Sequence, residues 1–418
     1  MLKTVTIKTA LILTIMWLIT ACSVSKNSSK DTVIQPGQPY FYGFMLYEPA
    51  THDTLIDINS KHYFVPASTT KLFTLYTAMQ TLGDSLATFN YYKTSDTLYL
   101  QPLADPSFLY DSLPNTTLDF LQKTQKPITI IADDFTDFVY GNGWQWDDFQ
   151  YSYMPEKSLM PVYGNKICIT EYNIVPRYFK PLTHRVDSLI SRRDFYSNTF
   201  YYPSGTDRRV EVPFRTSLEL SALLLADTLQ RPVNLSIYND YLLQPYISTP
   251  TLPLYKHLMD KSDNFVAEQL MLIVAKQQTG TYKVDRAIEW SLTHLFQDIP
   301  QQPRWEDGSG LSRYNLFTPR DMVYILDKFL QTYGMDTVKD IFPSNTRHRA
   351  LQQWYPYEKT YLYAKTGTLS NNHNICGYIL TKSGRVLIFS YMNNNFIQPV
   401  EDIRRSVNSQ LIKVYNQY

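Results

Sequence analysis

The spacing of apolar residues changes several times along the chain. Tyr40 to Tyr47 and Thr54 to Ile58 are rich in aromatic and aliphatic residues and read as two strands of a hairpin. Tyr63-Phe64-Val65 leads into a longer period. Leu72, Leu75, Tyr76, Met79 and Leu82 recur at helical spacing and predict an amphipathic helix. From about Tyr91 to Val212, short β-like runs occur at Thr97–Leu100, Ile128–Ala132, Lys166–Thr170 and Arg209–Val212. Turn-rich stretches such as Ala104-Asp105-Pro106-Ser107 and Tyr140-Gly141-Asn142-Gly143 separate them. Helical spacing resumes at Thr216-Ser217-Leu218-Glu219, a capping box followed by Ala222, Leu225 and Leu229 on one face. Further helices are expected at Asn264–Ala275, Lys283–Phe296 and Thr318–Leu330, the last with Thr318 as N-cap and Pro319 at the first helical position. Strand patterns return at Thr360–Leu369, Ile375–Thr381 and Val386–Met392, and a closing helix starts near Pro399. The order predicts an α/β (α+β) chain. A sheet is built from both chain ends and flanked by helices, with residues 39–89 and 213–418 as one body. Residues 90–212 form an inserted, mainly β domain.

The first residues carry a different pattern. Lys3 and Lys8 precede the mostly apolar run Ala10–Ile19, and small residues precede Cys22, so residues 1–22 read as an export signal. Ile19-Thr20-Ala21-Cys22 resembles a bacterial lipobox, in which the cysteine is lipidated. Residues 23–38 are then a polar tether. The expected location is the periplasmic side of a bacterial membrane, held by a lipid anchor. A net charge of +1 with no basic stripe gives no sign of a nucleic-acid partner. No Cys-x-x-Cys or His-Glu-x-x-His occurs, so no metal site and no cofactor is expected. Cys168 and Cys376 read as two unrelated buried thiols.

Candidate chemistry begins at Pro66-Ala67-Ser68-Thr69-Thr70-Lys71. A serine and a lysine three apart share a helix face, roughly 5–6 Å between Cβ atoms. Helix-terminal N–H groups put partial positive charge beside Ser68. That field, with burial, disfavours a charged Lys71 and equips it to take the serine proton. One such match is weak; Ser23-Val24-Ser25-Lys26 also fits, inside the tether. Two further motifs follow in order. Ser262-Asp263-Asn264 opens a helix, and Lys365-Thr366-Gly367 lies in an apolar strand. Ser-x-x-Lys, Ser-x-Asn and Lys-Thr-Gly are together the set found in penicillin-binding proteins and class A β-lactamases. Acyl transfer needs a nucleophile, a proton path, an oxyanion site and a carboxylate anchor. Ser68 is the expected nucleophile and Lys71 its base. Ser262 relays a proton, Asn264 binds the substrate amide, and Lys365 supplies positive charge. Thr366 and Thr368 hydroxyls bind a carboxylate, and Gly367 lets backbone approach the substrate. The N–H groups of Ser68 and Thr368 form the oxyanion hole. In Gly143-Trp144-Gln145-Trp146-Asp147-Asp148, Asp148 either binds substrate in a cleft or caps a turn beneath packed tryptophans; the second reading weighs more.

With Asp105-Pro106-Ser107, the tryptophan-aspartate stretch and Asp307-Gly308-Ser309-Gly310-Leu311-Ser312-Arg313, these motifs resemble one family. It is the D-alanyl-D-alanine carboxypeptidase/endopeptidase family of class C low-molecular-mass penicillin-binding proteins, the penicillin-binding protein 4 type. The resemblance runs from about Gly43 to Asn393. It implies the serine penicillin-recognising β-lactamase/DD-peptidase fold, cleavage of D-Ala-D-Ala termini or cross-links of peptidoglycan stem peptides, and inhibition by β-lactams. Two departures stand out: an insertion shorter than in larger members, and the unusually polar Ser370-Asn371-Asn372-His373-Asn374, read as lying apart from the catalytic motifs. Asp307 to Arg313 reads as a tight structural loop, not a second nucleophile. Two alternatives stay open. One is a non-catalytic wall-binding protein. The other is a β-lactamase, for which neither Glu156 nor Glu171 has a matching context.

Overall fold

The computed structural model describes residues 40–205, 208–237 and 241–418. The expected signal, Cys22 and the whole of the tether lie outside the described residues.

A five-stranded antiparallel sheet joins the two ends of the described chain. Its order is Leu362–Leu369, Asn372–Leu380, Val386–Asn394, Phe41–Glu48, Asp53–Ile58. Alternation along Phe41–Glu48 assigns its residues to two faces. Met45 joins a core with Cys376, Tyr378, Ile388 and Met392 under the helices Lys71–Thr81, Asn264–Thr279 and Pro319–Ile341. Phe44 and Leu46 join the opposite core, which Ile403, Val407, Leu411 and Val414 of the helix Val400–Gln417 cover. Both faces are buried, so the last strands read as apolar runs rather than clean alternation.

A second five-stranded sheet has the order Val233–Ser236, Ile128–Ile131, Leu98–Pro102, Ser85–Lys93, Gln244–Pro250. It contains two parallel pairs, Val233–Ser236 with Ile128–Ile131 and Ile128–Ile131 with Leu98–Pro102. The helix Leu218–Leu229 was expected in the main body. It instead puts Ala222, Leu224 and Leu225 into the core of this sheet, beside Phe89, Leu98 and Ile130. Its cap also differs by one residue. Ser217 accepts from Leu220 N, while Thr216 gives its N–H and hydroxyl to Glu156 Oε2 at 2.7 and 2.9 Å.

The helix starting at Pro319 runs to Ile341 with a break at Gly334 (φ 75°), and it is capped by Thr318 and Asp321 as a capping box. Three α-helices were missed, the short Thr117–Lys123 and Arg349–Trp354 and the longer Thr251–Lys261; in the last, Leu254, Tyr255, Leu258 and Met259 are spaced for one buried face. That longer helix ends where the site begins.

Candidate active site

Ser68 lies in a short 3-10 turn, Ala67–Thr70, directly before the helix Lys71–Thr81. Two short-range bonds tighten that turn: Thr69 Oγ1 donates to Pro66 O (2.8 Å) and Thr70 Oγ1 to Ala67 O (2.9 Å). Ala67 has φ 50°, a conformation that costs an alanine free energy and persists only if its surroundings impose it. They do so on three sides. Asn374 Nδ2 donates to Val65 O and Pro66 O, both at 2.9 Å, and Asn394 Oδ1 accepts from Val65 N at 2.7 Å. Gly367 passes so close that a Cβ there would lie 2.6 Å from Pro66 O and 2.8 Å from Ser68 N. A Cβ on Gly310 (φ 79°) would lie 1.9 Å from Ala67 O. Two expectations change. The polar stretch after the lysine motif grips the serine turn rather than lying apart from it. The bareness of Gly367 serves the approach of the lysine strand to that turn.

Lys71 is fully buried. Its Nζ is 3.0 Å from Ser68 Oγ and donates to Asn264 Oδ1 and Ser309 O, each at 2.6 Å. Burial pulls its pKa down to about 8, while the carboxylates of Asp307, Glu268 and Asp263 oppose the fall. Burial is thus the leading cause of the depressed pKa expected from sequence. The Asn264 amide is oriented by both ends, because Nδ2 donates to Tyr153 O at 2.8 Å while Oδ1 takes the lysine. Asn264 therefore holds Lys71 as well as facing the cavity.

Ser262 sits at the break between the helices Thr251–Lys261 and Asn264–Thr279, in a left-handed conformation (φ 54°). Lys365 Nζ donates to its Oγ at 2.7 Å and to Thr366 O at 2.8 Å. Lys365 is buried. Burial first and the Lys71 charge second push its pKa well down. Next to Ser262, Asp263 caps the following helix and accepts from Tyr110 Oη (2.7 Å), with His257 Nε2 at 3.0 Å. Burial opposes its charge, yet these bonds and Lys166 hold its carboxyl well below the usual range.

Ser68, Ser262, Asn264, Asp148 and Thr368 line one cavity of about 730 Å³. Lys71 and Lys365 stand behind its wall, each hydrogen-bonded to a lining serine. Thr366 is on the strand but not on the cavity lining. Asp148 lines the cavity and accepts from Tyr153 Oη at 2.7 Å. Trp146, expected to be packed, is 72% exposed.

The wall that sequence reasoning treated as structural is the Asp307 loop. Asp307 accepts from Gly310 N (2.8 Å), Ser312 N (2.7 Å), Asn315 Nδ2 (2.7 Å) and Trp144 Nε1 (2.8 Å). The loop is tight, as expected. It also delivers Ser309 O to Lys71 and places Gly310, Leu311 and Arg313 on the cavity. The run Asp-Gly-Ser-Gly was the available signal: one acceptor followed by residues whose N–H groups fold back on it. Glu268 was missed. It accepts from Ser309 N at 2.8 Å, and burial, helped by the Asp307 charge, raises it to about 7. Glu156 and Glu171 are absent from the cavity lining; Glu156 is engaged by Tyr140 and Thr216. Cys168 and Cys376 are both free thiols, the first half-buried and the second buried.

Comparison with known proteins adds an independent line. The model of a family described as the D-Ala-D-Ala carboxypeptidase 3 (S13) family matches residues 30–174 and 216–416. The D-alanyl-D-alanine carboxypeptidase DacB of Haemophilus influenzae is 23% identical over 414 residues, covering 85% of this chain and 85% of the relative. The crystal structure of penicillin binding protein 4 from Haemophilus influenzae superposes with a TM-score of 0.75 at 18% identity, covering 90% of this chain and 97% of that one. Its complex with a β-lactam gives a TM-score of 0.69 at 17% identity, covering 90% and 96%.

Proposed function

Because the chain belongs to the D-Ala-D-Ala carboxypeptidase 3 (S13) family, its activity is that of a DD-peptidase, and we propose that Ser68 is its acylated nucleophile. The observation that carries this assignment is the environment of Lys71 Nζ. A neutral amine has two N–H donors and one lone pair. Asn264 Oδ1 and Ser309 O take both donors, and Ser68 Oγ is the remaining neighbour, at 3.0 Å. The lone pair therefore faces the serine proton. A pKa near 8 leaves a useful neutral fraction at the working pH.

In the proposed reaction the Ser68 oxygen attacks the carbonyl of the penultimate D-alanine, and its proton passes to Lys71. The N–H groups of Ser68 and Thr368 receive the developing oxyanion. The proton taken by Lys71 passes by way of Ser262, held by Lys365, to the departing amine. Water then hydrolyses the acyl-enzyme. The C-terminal carboxylate of the substrate lies toward the Lys365 strand, where Thr368 meets the cavity. Thr366 is the weaker candidate for that contact. Asp148 and Arg313, both on the lining, are placed to meet charged groups of the stem peptide. β-Lactams inhibit by acylating Ser68 in the same way.

The accessory unit is proposed to extend past residue 212, since the strands of its sheet lie between Ser85 and Pro250. We also place the protein on the periplasmic side of the membrane, anchored by lipid at Cys22. Labelling of cells with radioactive palmitate tests this. Parent protein takes up label and Cys22→Ala does not; equal labelling sinks the anchor. The acylation assignment is tested by the mass of the protein after exposure to benzylpenicillin: the parent gains a penicilloyl adduct and Ser68→Ala does not.

A further inference from the structure

Thr368 has a neighbour that the catalytic motifs do not explain. His373 lies directly opposite it on the adjacent strand, and Thr368 Oγ1 is 2.8 Å from His373 Nδ1. The other ring nitrogen, Nε2, is 2.7 Å from Tyr355 Oη. Both rings are buried, each 1% exposed, while Thr368 faces the cavity. The chain Tyr355–His373–Thr368 thus runs from the core to the site.

Two proton arrangements fit these distances, and the surroundings choose between them. Burial, with the Arg404 charge adding, pushes His373 down to about 3, so the ring is neutral and carries one donor and one acceptor. Burial also raises Tyr355, against the opposing Arg404 charge, so it keeps its phenolic proton. That proton needs an acceptor in a dry core. Among the described residues, His373 Nε2 is the hydrogen-bond partner of Tyr355 Oη. Tyr355 must then donate to Nε2, which leaves the ring proton on Nδ1. Nδ1–H donates to Thr368 Oγ1, and the threonine hydroxyl proton is left to point away from His373, toward the cavity. In the opposite arrangement the Tyr355 proton is stranded, and the Thr368 proton is turned inward to Nδ1.

We propose that Tyr355 and His373 are positioning residues that fix the Thr368 hydroxyl as a donor toward the cavity, selecting ligands with a carboxylate at that point. The inference rests on the reading of Thr368 as the carboxylate contact. It adds what sets the direction of that hydroxyl. An anionic ligand group gains a charge-assisted hydrogen bond from a pre-aimed O–H, whereas an inward-turned O–H offers it only lone pairs. Losing such a bond costs about tenfold in rate or affinity.

Two measurements test this, and they separate it from the reading it rests on. The first is long-range ¹H–¹⁵N correlation NMR of histidine-labelled protein, with His373→Ala to assign the signal. The expected result is a neutral His373 with its proton on Nδ1, and a shift toward Nε2–H in Tyr355→Phe. A proton on Nε2 in the parent overturns the proposal whatever the enzyme does. The second is the rate constant for Ser68 acylation in parent and Tyr355→Phe. The probes are benzylpenicillin, which carries a carboxylate, and uncharged 4-nitrophenyl acetate, with the Ser68→Ala rate subtracted. The expected result is about a tenfold loss with benzylpenicillin and no change with the ester. Equal losses with both would mark Tyr355 as merely structural, and no loss with either would mark it as idle; each overturns the proposal. A parent that benzylpenicillin does not acylate would instead strike the assignment of Ser68, with the tautomer still read by NMR.

Discussion

Replacing Gly310 by alanine separates two costs that usually come together. Gly310 and Gly280 share the same backbone angle, φ 79°. At Gly280 nothing lies within 4 Å of an added Cβ; at Gly310 that Cβ would meet Ala67 O at 1.9 Å, Ala67 C at 2.5 Å and Thr70 Oγ1 at 2.8 Å. The left-handed conformation alone costs an alanine about 1–2 kcal/mol. Gly280→Ala should show only that. Gly310→Ala adds the clash. Because its contacts are mainly backbone, relief requires the Asp307 loop to withdraw by more than about 1 Å, and overpacking of this kind costs about 1–3 kcal/mol. The total is about 2–5 kcal/mol. At roughly 2–4 °C per kcal/mol, Gly310→Ala should melt several degrees below Gly280→Ala. Withdrawal also carries Ser309 O away from Lys71 Nζ, now 2.6 Å away. A displacement of that size costs about 10²-fold in rate. Thermal melting and stopped-flow acylation by benzylpenicillin measure both effects. If Gly310→Ala melts with Gly280→Ala and acylates like the parent, the loop does not hold the serine turn as described.

Two further outcomes follow from the same geometry. Acylation should depend on neutral Lys71, whose folded pKa is near 8, so the rate falls about tenfold per unit below that pH and levels off above it. A flat profile from pH 6 to 9 would contradict the assignment of Lys71 as base. Asn374→Ala removes the donor to Val65 O and Pro66 O and the acceptor for Asn393 N. Pro66 O keeps Thr69 Oγ1 and Val65 O keeps Asn394 Nδ2, so the main cost is the lost acceptor for the buried Asn393 N, about 1–3 kcal/mol, and the variant should lose several degrees in melting and part of its acylation rate. Parent-like behaviour would remove Asn374 from the support of the turn.

Motifs defined by residue type and spacing were legible in the sequence; supports whose partners lie on distant segments were not. Ser68, Lys71, Ser262, Asn264 and Lys365 announce themselves by type and spacing. The structure joins them as Lys71 with Ser68 and Asn264, and Lys365 with Ser262. The main sheet was legible too, because its strands at both chain ends share apolar character. The placement of the helix Leu218–Leu229 was not. Its apolar face fits either core, and nothing local says which. Asn374 and His373 looked like loop polarity, since a run of asparagines around a histidine is common in turns. Their partners, Pro66 and Thr368, become visible only once the strands are in register. Asp148 was weighed against packed tryptophans; Trp146 is exposed, and Asp148 is among the residues that line the cavity.

The central claim is that Ser68 is acylated with Lys71 as its base. The most direct measurement is intact-mass spectrometry of the purified protein after brief exposure to benzylpenicillin, beside Ser68→Ala. The account predicts a stable penicilloyl adduct on the parent and none on Ser68→Ala. An unmodified parent with the penicillin left intact, or an adduct that persists in Ser68→Ala, would contradict it.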